Sequence, residues 1–347
     1  MLLEGIFLPL TTPFHPNGRL FPHKLASNVE HYSRTQAAGM LVLGQAGEAS
    51  GLTEAEVLQV LETAIGAAAD EKVMIASVGR DSVAATLLLA TAAADLQYDV
   101  IAVRAPEFAG DTSMRPEVAT YFKAVADKSE LPLVLMCERE RPLASDLIAE
   151  FAGHPNILGV VDDQASASRV SALLGVTSNV SRLVKVTSTF AAATNRMLQQ
   201  VVPGGAGNFV SAEALSGGVA VVAPPVPAVK TRTKMVGFQI LTSATSGMLE
   251  AWNAGATGAI PRLGACAPQA CCEVWQAFKD GDPALAEEKQ HRILIPAAIV
   301  EGWRGIAALK YGCDLNAYFG GLGRLPLLPL SGSERIQVES ALSGLKN

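Results

Sequence analysis

The side chains best suited to acid–base or metal chemistry are four carboxylates at the ends of apolar, β-rich runs: Glu48, Glu107, Glu138 and Asp163, with Arg139 and Arg141 beside the third. Side chains alternate along a strand, so Met136 shares a face with Glu138 and Val161 shares one with Asp163. If Met136 and Val161 face a pocket, these carboxylates hang over its mouth. There an acidic ring could hold a divalent cation or exchange protons. The plainer alternative is favoured: Glu138, Asp162 and Asp163 are strand-end carboxylates that cap the next helix or pair with Arg139, Arg141 or Arg169.

Other reactive side chains offer less. Cys137 has no histidine beside it in sequence, and reads as a small buried apolar group rather than a thiolate. Lys185, in Leu183-Val184-Lys185-Val186, sits in an apolar setting where burial would depress an amine's pKa, but a water-facing edge-strand lysine is the favoured reading. Lys310, in Ala308-Leu309-Lys310-Tyr311-Gly312, reads as structural. The five histidines are scattered without an i, i+4 pair, so no metal site is expected. Pro203-Gly204-Gly205-Ala206-Gly207-Asn208 lacks the Lys-Ser/Thr of a phosphate loop and reads as a turn.

The elements that must position these residues are short apolar runs alternating with Ala- and Leu-rich amphipathic segments, the pattern of a parallel sheet with crossover helices. Strands are expected at residues 5–10, 40–43, 73–78, 100–103, 133–136, 157–161, 238–242 and 258–261. Helices are expected between them at 24–35, 54–69, 82–95, 116–127, 144–152, 165–174, 246–254 and 269–279. Thr53 and Glu56 have the spacing of a capping box at the second helix. Helical stretches at 283–301 and 334–345 follow. The fold class is therefore α/β, a (β/α)8 TIM barrel over residues 1–280, with a C-terminal helical layer over 281–347.

One connection is abnormally long, from 162 to 237 between the sixth and seventh strands, and an insertion at about 180–236 interrupts the barrel. Residues 182–187 read as an extra strand and 191–200 as an extra helix. The insertion is expected on the catalytic face, where barrel loops after strands emerge, or in a subunit interface. Its apolar stretch, 209–226, is expected to be largely covered, because exposed it would be an aggregation hazard.

Composition narrows the partners. The chain of 347 residues is 49% hydrophobic and 17% charged, which supports a packed core. A net charge of −6 gives no basic field for a phosphate backbone, so nucleic acid is not expected. The N-terminus lacks a signal-peptide pattern, and no apolar run is long enough for a membrane span, so a cytoplasmic protein is expected. The five cysteines show no disulfide or zinc spacing.

Several motifs, in order, resemble the dihydrodipicolinate synthase/N-acetylneuraminate lyase family. Gly5-Ile6-Phe7-Leu8-Pro9-Leu10-Thr11-Thr12-Pro13-Phe14 resembles its opening strand and Thr-Pro-Phe turn. Gly44-Gln45-Ala46-Gly47-Glu48, followed by Leu52-Thr53-Glu54-Ala55-Glu56, resembles its Gly-Thr-Thr-Gly-Glu loop. Ala105-Pro106-Glu107-Phe108 stands where Pro-Tyr-Tyr is usual. Asn156-Ile157-Leu158-Gly159-Val160-Val161 stands where Asn-Ile-x-Gly-Ile-Lys is usual, and Arg324-Leu325-Pro326 matches the C-terminal Arg-x-Pro.

The resemblance implies a lyase or aldolase acting through a Schiff base between a 2-oxo acid and a lysine, and it also marks this chain as divergent. Val161 stands at the lysine position and cannot be a nucleophile. Met136 stands at the relay tyrosine, and Gln45 and Ala46 replace the carboxylate-binding threonines. Arg141 matches a substrate-binding arginine. The pocket-lining candidates are thus Gln45, Ala46, Gly47, Glu48, Glu107, Met136, Glu138, Arg141, Val161 and Asp163. The expected function is to act on or bind a small oxo acid or related carboxylate without the usual lysine, with no cofactor and no metal. The alternative is a non-catalytic homologue that binds a small ligand or a protein partner. The resemblance further implies a homo-oligomer, a dimer or tetramer.

Overall fold

Parallel pairing of short apolar runs requires a crossover after each one, and the helical segments supply it. The computed structural model describes residues 1–110, 112–199, 229–302 and 304–345. Its strands are β1 (Gly5–Pro9), β2 (Gly39–Val42), β3 (Val73–Ser77), β4 (Val100–Arg104), β5 (Leu133–Cys137), β6 (Ile157–Asp162), β7 (Arg182–Thr187), β8 (Thr231–Val236), β9 (Gln239–Thr242) and β10 (Gly258–Ala259). Its helices are α1 (Pro22–Ser33), α2 (Glu54–Ala67), α3 (Val83–Asp95), α4 (Arg115–Lys128), α5 (Ser145–Ala152), α6 (Ala167–Val176), α7 (Asn195–Gln199), α8 (Met248–Asn253), α9 (Pro268–Lys279), α10 (Pro283–Val300), α11 (Gly305–Leu315) and α12 (Gly332–Leu342). The order β1-β10-β9-β6-β5-β4-β3-β2 closes into a parallel barrel. The expected (β/α)8 fold is the observed one.

Strand parity divides the core in two. Val73 and Ile75 of β3, Val100 and Ala102 of β4, Val134 of β5 and Val161 of β6 belong to one cluster that fills the barrel. Their neighbours Met74, Ile101, Leu135 and Val160 face outward and join the helices in a larger cluster. Two inward positions have no room for a side chain. A Cβ at Gly39 or Gly159 would fall 2.0 Å from the carbonyl oxygen of Val73 or Gln239.

The insertion departs from expectation in where it emerges. It leaves the end of α6, not the end of β6, so its described flanks lie across the N-terminal end of the barrel. There β7 pairs antiparallel with β8, a strand the sequence reading missed. Val184 and Val186 pack on Leu2, ahead of β1. Arg182 donates to the carbonyls of Ala152 and His154, at 2.8 Å each, in the turn before β6. Arg196 donates to the carbonyls of Ala68 and Lys72, ahead of β3. A connection that follows a helix can only return at the end where strands begin, so these flanks do not cover the mouth at the C-terminal strand ends. The extra helix is the short α7, and the stretches 203–208 and 209–226 lie outside the described residues.

The C-terminal layer contains α11 in addition to the two expected stretches, and the segment after it returns to the barrel. Arg324 forks onto both oxygens of Glu56 at 2.7 Å and donates to the carbonyls of Gly18 and Gly51. Glu56 also completes the capping box with Thr53. One carboxylate therefore ends in a helix cap and a fork to a distant segment. No helix among the described residues is long and apolar enough to cross a membrane.

The Arg324 guanidinium holds the Glu56 carboxyl at about 2, below its ordinary 4.5. A depressed acid stabilises the fold fully above its unfolded pKa and loses that contribution as pH falls through the folded one. Urea unfolding followed from pH 5 down to about pH 2 should thus show a steeper loss of stability in the wild type than in Arg324→Ala. Parallel curves would show that the fork does not hold Glu56 ionised.

Candidate active site at the barrel mouth

The last inward residue of each strand forms the floor of whatever lies at the C-terminal end of a barrel. On β3 that residue is Ser77, on β4 Arg104 and on β5 Met136, and Arg104 and Met136 are paired in register. These three residues line a cavity of 330 Å³, closed by Leu43, Gly44, Gln45, Glu48 and Leu52 from the loop after β2, by Gly79 and Arg80 from the loop after β3, and by Glu138 and Arg141 from the loop after β5. Val161 is paired with Met136 in the ladder but is buried in the interior cluster, outside the lining.

The loop after β2 is held under strain. Leu43 and Glu48 adopt φ values of +62° and +52°, left-handed conformations that side-chain-bearing residues seldom take. Two contacts hold Glu48 there. Its Oε1 lies 2.5 Å from Lys310 Nζ, both side chains are buried, and its Oε2 accepts from the backbone N–H of Arg324 at 2.8 Å. Lys310 Nζ also donates to the carbonyl of Leu322 and sits 4.4 Å from the centre of the Phe14 ring. Burial lowers the Lys310 pKa, and the Glu48 charge opposes that shift. The lysine is a strut for the loop and does not line the cavity.

The carboxylates pair with arginines rather than with one another. Arg141 donates from Nε and Nη2 to Glu138 Oε2 at 3.0 and 2.5 Å, and from Nη1 to the exposed Glu107 at 3.3 Å. Asp162 is buried against Arg169 at 2.5 Å, and Asp163 accepts from Ser243 Oγ on the far side of the mouth. Arg139 is exposed. Among the described residues no three His, Cys, Asp or Glu side chains converge as a metal site would require. Burial, with the Asp162 charge adding to it, raises the Cys137 thiol to about 11, leaving it protonated at neutral pH.

Of the sequence candidates, Gln45, Glu48, Met136, Glu138 and Arg141 meet at the cavity. Ala46 and Gly47 are buried beneath it, where Thr12 Oγ1 donates to the Gly47 carbonyl at 2.6 Å. Glu107 reaches the site only through Arg141, and Val161 and Asp163 do not line it. Lys185 is exposed on β7, at the opposite end of the barrel.

Among the lining residues that the sequence reading did not single out are two arginines, Arg80 and Arg104. Parity would have found Arg104, since Val100 and Ala102 on the same strand face inward. Arg80 is fixed through its backbone: Thr86 Oγ1 accepts from its N–H at 2.9 Å, and its carbonyl accepts from Tyr121 Oη at 2.8 Å. Nothing in the local sequence around Arg80 announces that placement.

A closed parallel barrel whose polar loops gather at the C-terminal strand ends, backed by a helical layer, is the architecture of the aldolase-type lyases. The chain belongs to the Dihydrodipicolinate synthetase family, whose sequence profile matches residues 2–216. It is 31% identical over 182 residues to the 4-hydroxy-tetrahydrodipicolinate synthase of Xanthomonas axonopodis pv. citri, which is 52% of this chain and 60% of that protein. The corresponding protein of Acidiphilium cryptum is 24% identical over 347 residues, 99% of each chain. The chain thus spans about 60% of the length of the Xanthomonas relative and nearly all of the Acidiphilium one. A dihydrodipicolinate synthase from Bacillus anthracis superposes with a TM-score of 0.77 at 18% identity, covering 100% of both chains. A chloride-inhibited dihydrodipicolinate synthase from Acinetobacter baumannii complexed with pyruvate gives 0.76 at 22% identity, covering 99% of this chain and 100% of that one. At these identities the superpositions establish the fold.

Removing one partner of a buried ion pair strands the other charge. Lys310→Met is therefore expected to destabilise the protein by about 3–5 kcal/mol, and Lys310→Met combined with Glu48→Leu by less than the single change. Urea denaturation of Lys310→Met, Glu48→Leu and the double variant measures this. A double variant as unstable as the sum of its parts would mean that the two side chains do not interact.

Proposed function

We propose that this chain binds a small oxo acid or related carboxylate in the barrel mouth, and that any turnover there proceeds without a lysine Schiff base. The observation that carries the reading is the cavity lining. Among the described residues it brings Arg80, Arg104 and Arg141 together and includes no lysine. Guanidinium groups suit carboxylate recognition because their planar donor forks match the anion's two oxygens. A Schiff base needs an unprotonated primary amine beside the substrate carbonyl, and arginine cannot supply one.

Among the described residues the cavity lining also includes no tyrosine, and Met136, at the inward position at the end of β5, is a thioether without an exchangeable proton. The side chain best placed for acid–base work is Glu138, and both of its bonds from Arg141 end on one oxygen, Oε2. These features suit binding better than lyase turnover, which gives weight to the second reading, a non-catalytic homologue. A homo-oligomer belongs to the same proposal, in keeping with the exposed Ile295 on α10 and Ile336 on α12.

Borohydride reduction in the presence of pyruvate and other 2-oxo acids, read by intact mass, should leave the wild type unmodified, while at least one such acid should raise the melting temperature. A stable adduct would overturn the lysine-free reading, and peptide mapping would name the amine. Val161→Lys alone should not condense or cleave pyruvate adducts at a measurable rate, because nucleophile, relay and carboxylate clamp act as a unit. Lyase activity in that single variant would show that the remaining machinery is intact.

A further inference from the structure

We infer that the mouth selects a dianionic oxo acid, with Arg80 and Arg104 each supplying a guanidinium for one of its two anionic groups. The inference rests on the carboxylate-binding reading above and specifies its ligand.

The argument begins with where each arginine's counter-charge lies. Arg141 is 19% exposed and its partner Glu138 only 9%, so this pair is largely withdrawn from water and its charges cancel at close range. Arg80 and Arg104 are equally buried, at 20% and 22%, but their partners are 64% and 55% exposed, Glu54 at the edge of the cavity lining and Asp81 outside it. Water screens an exposed carboxylate and weakens its hold on the cation. Among the described residues each of these two guanidiniums has only that one ion-pair partner. Two cations mostly withdrawn from solvent therefore face a polar cavity with little compensation, which is the electrostatic condition for recruiting an anion.

The backbone fixes both groups. Arg104 is the last inward residue of β4, and the space beside its backbone exists because residue 79 is glycine: a Cβ there would lie 2.6 Å from the Arg104 amide nitrogen. Arg80 is held by Thr86 and Tyr121. A subsite held on strand ends and buried hydroxyls is preorganised, so little binding free energy is lost in ordering it. Ser77 adds a hydroxyl to the lining between them. A monocarboxylate would satisfy one of these two cations and leave the other facing water. A ligand with a carboxylate or a phosphate-type group at its far end would satisfy both.

Titration calorimetry on the full chain compares 2-oxoglutarate, phosphonopyruvate and 2-oxopentanoate, the last matching 2-oxoglutarate in chain length but carrying one negative charge. One of the two dianions should bind at least about tenfold more tightly than 2-oxopentanoate, as expected for an added charge-assisted hydrogen-bonded contact. Preference for 2-oxoglutarate identifies the second group as a carboxylate, and preference for phosphonopyruvate identifies it as phosphate-like. Arg104→Met should reduce the dianion-to-monoanion ratio by a similar factor, and Arg104→Lys should restore part of it. Melting temperatures establish that each variant is folded, and the wild-type comparison needs no variant at all. Equal affinity for the dianions and 2-oxopentanoate would overturn this inference and leave the carboxylate reading standing. If none of the three binds, both fall.

Discussion

Everything at the mouth of this barrel follows from the two-residue period of its strands. A closed parallel barrel turns every second side chain into a narrow interior, and the last of these on each strand is the first group a ligand meets. Four adjacent strands end inward on Ser77, Arg104, Met136 and Val161. A hydroxyl, a guanidinium, a thioether and a branched alkane can recognise an anion and shield it on one side. None of them can form an imine. The same parity sends Cys137 and Asp162 outward, where the thiol and carboxylate are buried among helices with Arg169 and are removed from any role at the mouth.

The second constraint is that the loop after β2 cannot hold its own shape. Two of its residues sit in left-handed conformations at a cost of about 1–3 kcal/mol each, which must be met by contacts elsewhere. The contacts come from far along the chain. Lys310 on α11 and the Arg324 amide grip the Glu48 carboxylate, while the Arg324 side chain grips Glu56 at the start of the next helix. The C-terminal layer is therefore part of the site. A buried lysine near an active site invites a catalytic reading, and its geometry argues against one, because its amine is consumed by Glu48, the Leu322 carbonyl and the Phe14 ring.

These features were unevenly legible in the sequence. All eight barrel strands could be read, because each is a short apolar run punctuated by turn residues, and the capping box at Thr53 could be read because it depends on two residues three apart. The insertion's position was misjudged although its length was plain: the loop-after-strand rule was applied to a segment that follows a helix. Helix α11 was missed because Gly305 and Gly312 interrupt its pattern. At the site, Glu138 and Arg141 lie three residues apart, so their pairing could be anticipated. The bond from Glu48 to Lys310 joins residues far apart in the chain and leaves no local trace.

The missed Arg104 shows how attention to replaced residues can hide new ones. The resemblance directs the eye to positions where tyrosine, threonine and lysine are expected, and each of those positions reads as a loss. Arg104 stands just before the altered Ala105-Pro106-Glu107-Phe108 segment, and only its parity with Val100 and Ala102 marks it as facing the interior. The guanidinium there sets the charge of the floor in a mouth whose lining, among the described residues, includes no lysine. A lysine at residue 161 would meet that charge one ladder step beyond Met136, and the repulsion would favour its neutral form. Electrostatics alone would thus permit an amine at residue 161. Proton transfer is a separate demand, and the thioether of Met136, paired with residue 161 in the ladder, carries no exchangeable proton to meet it.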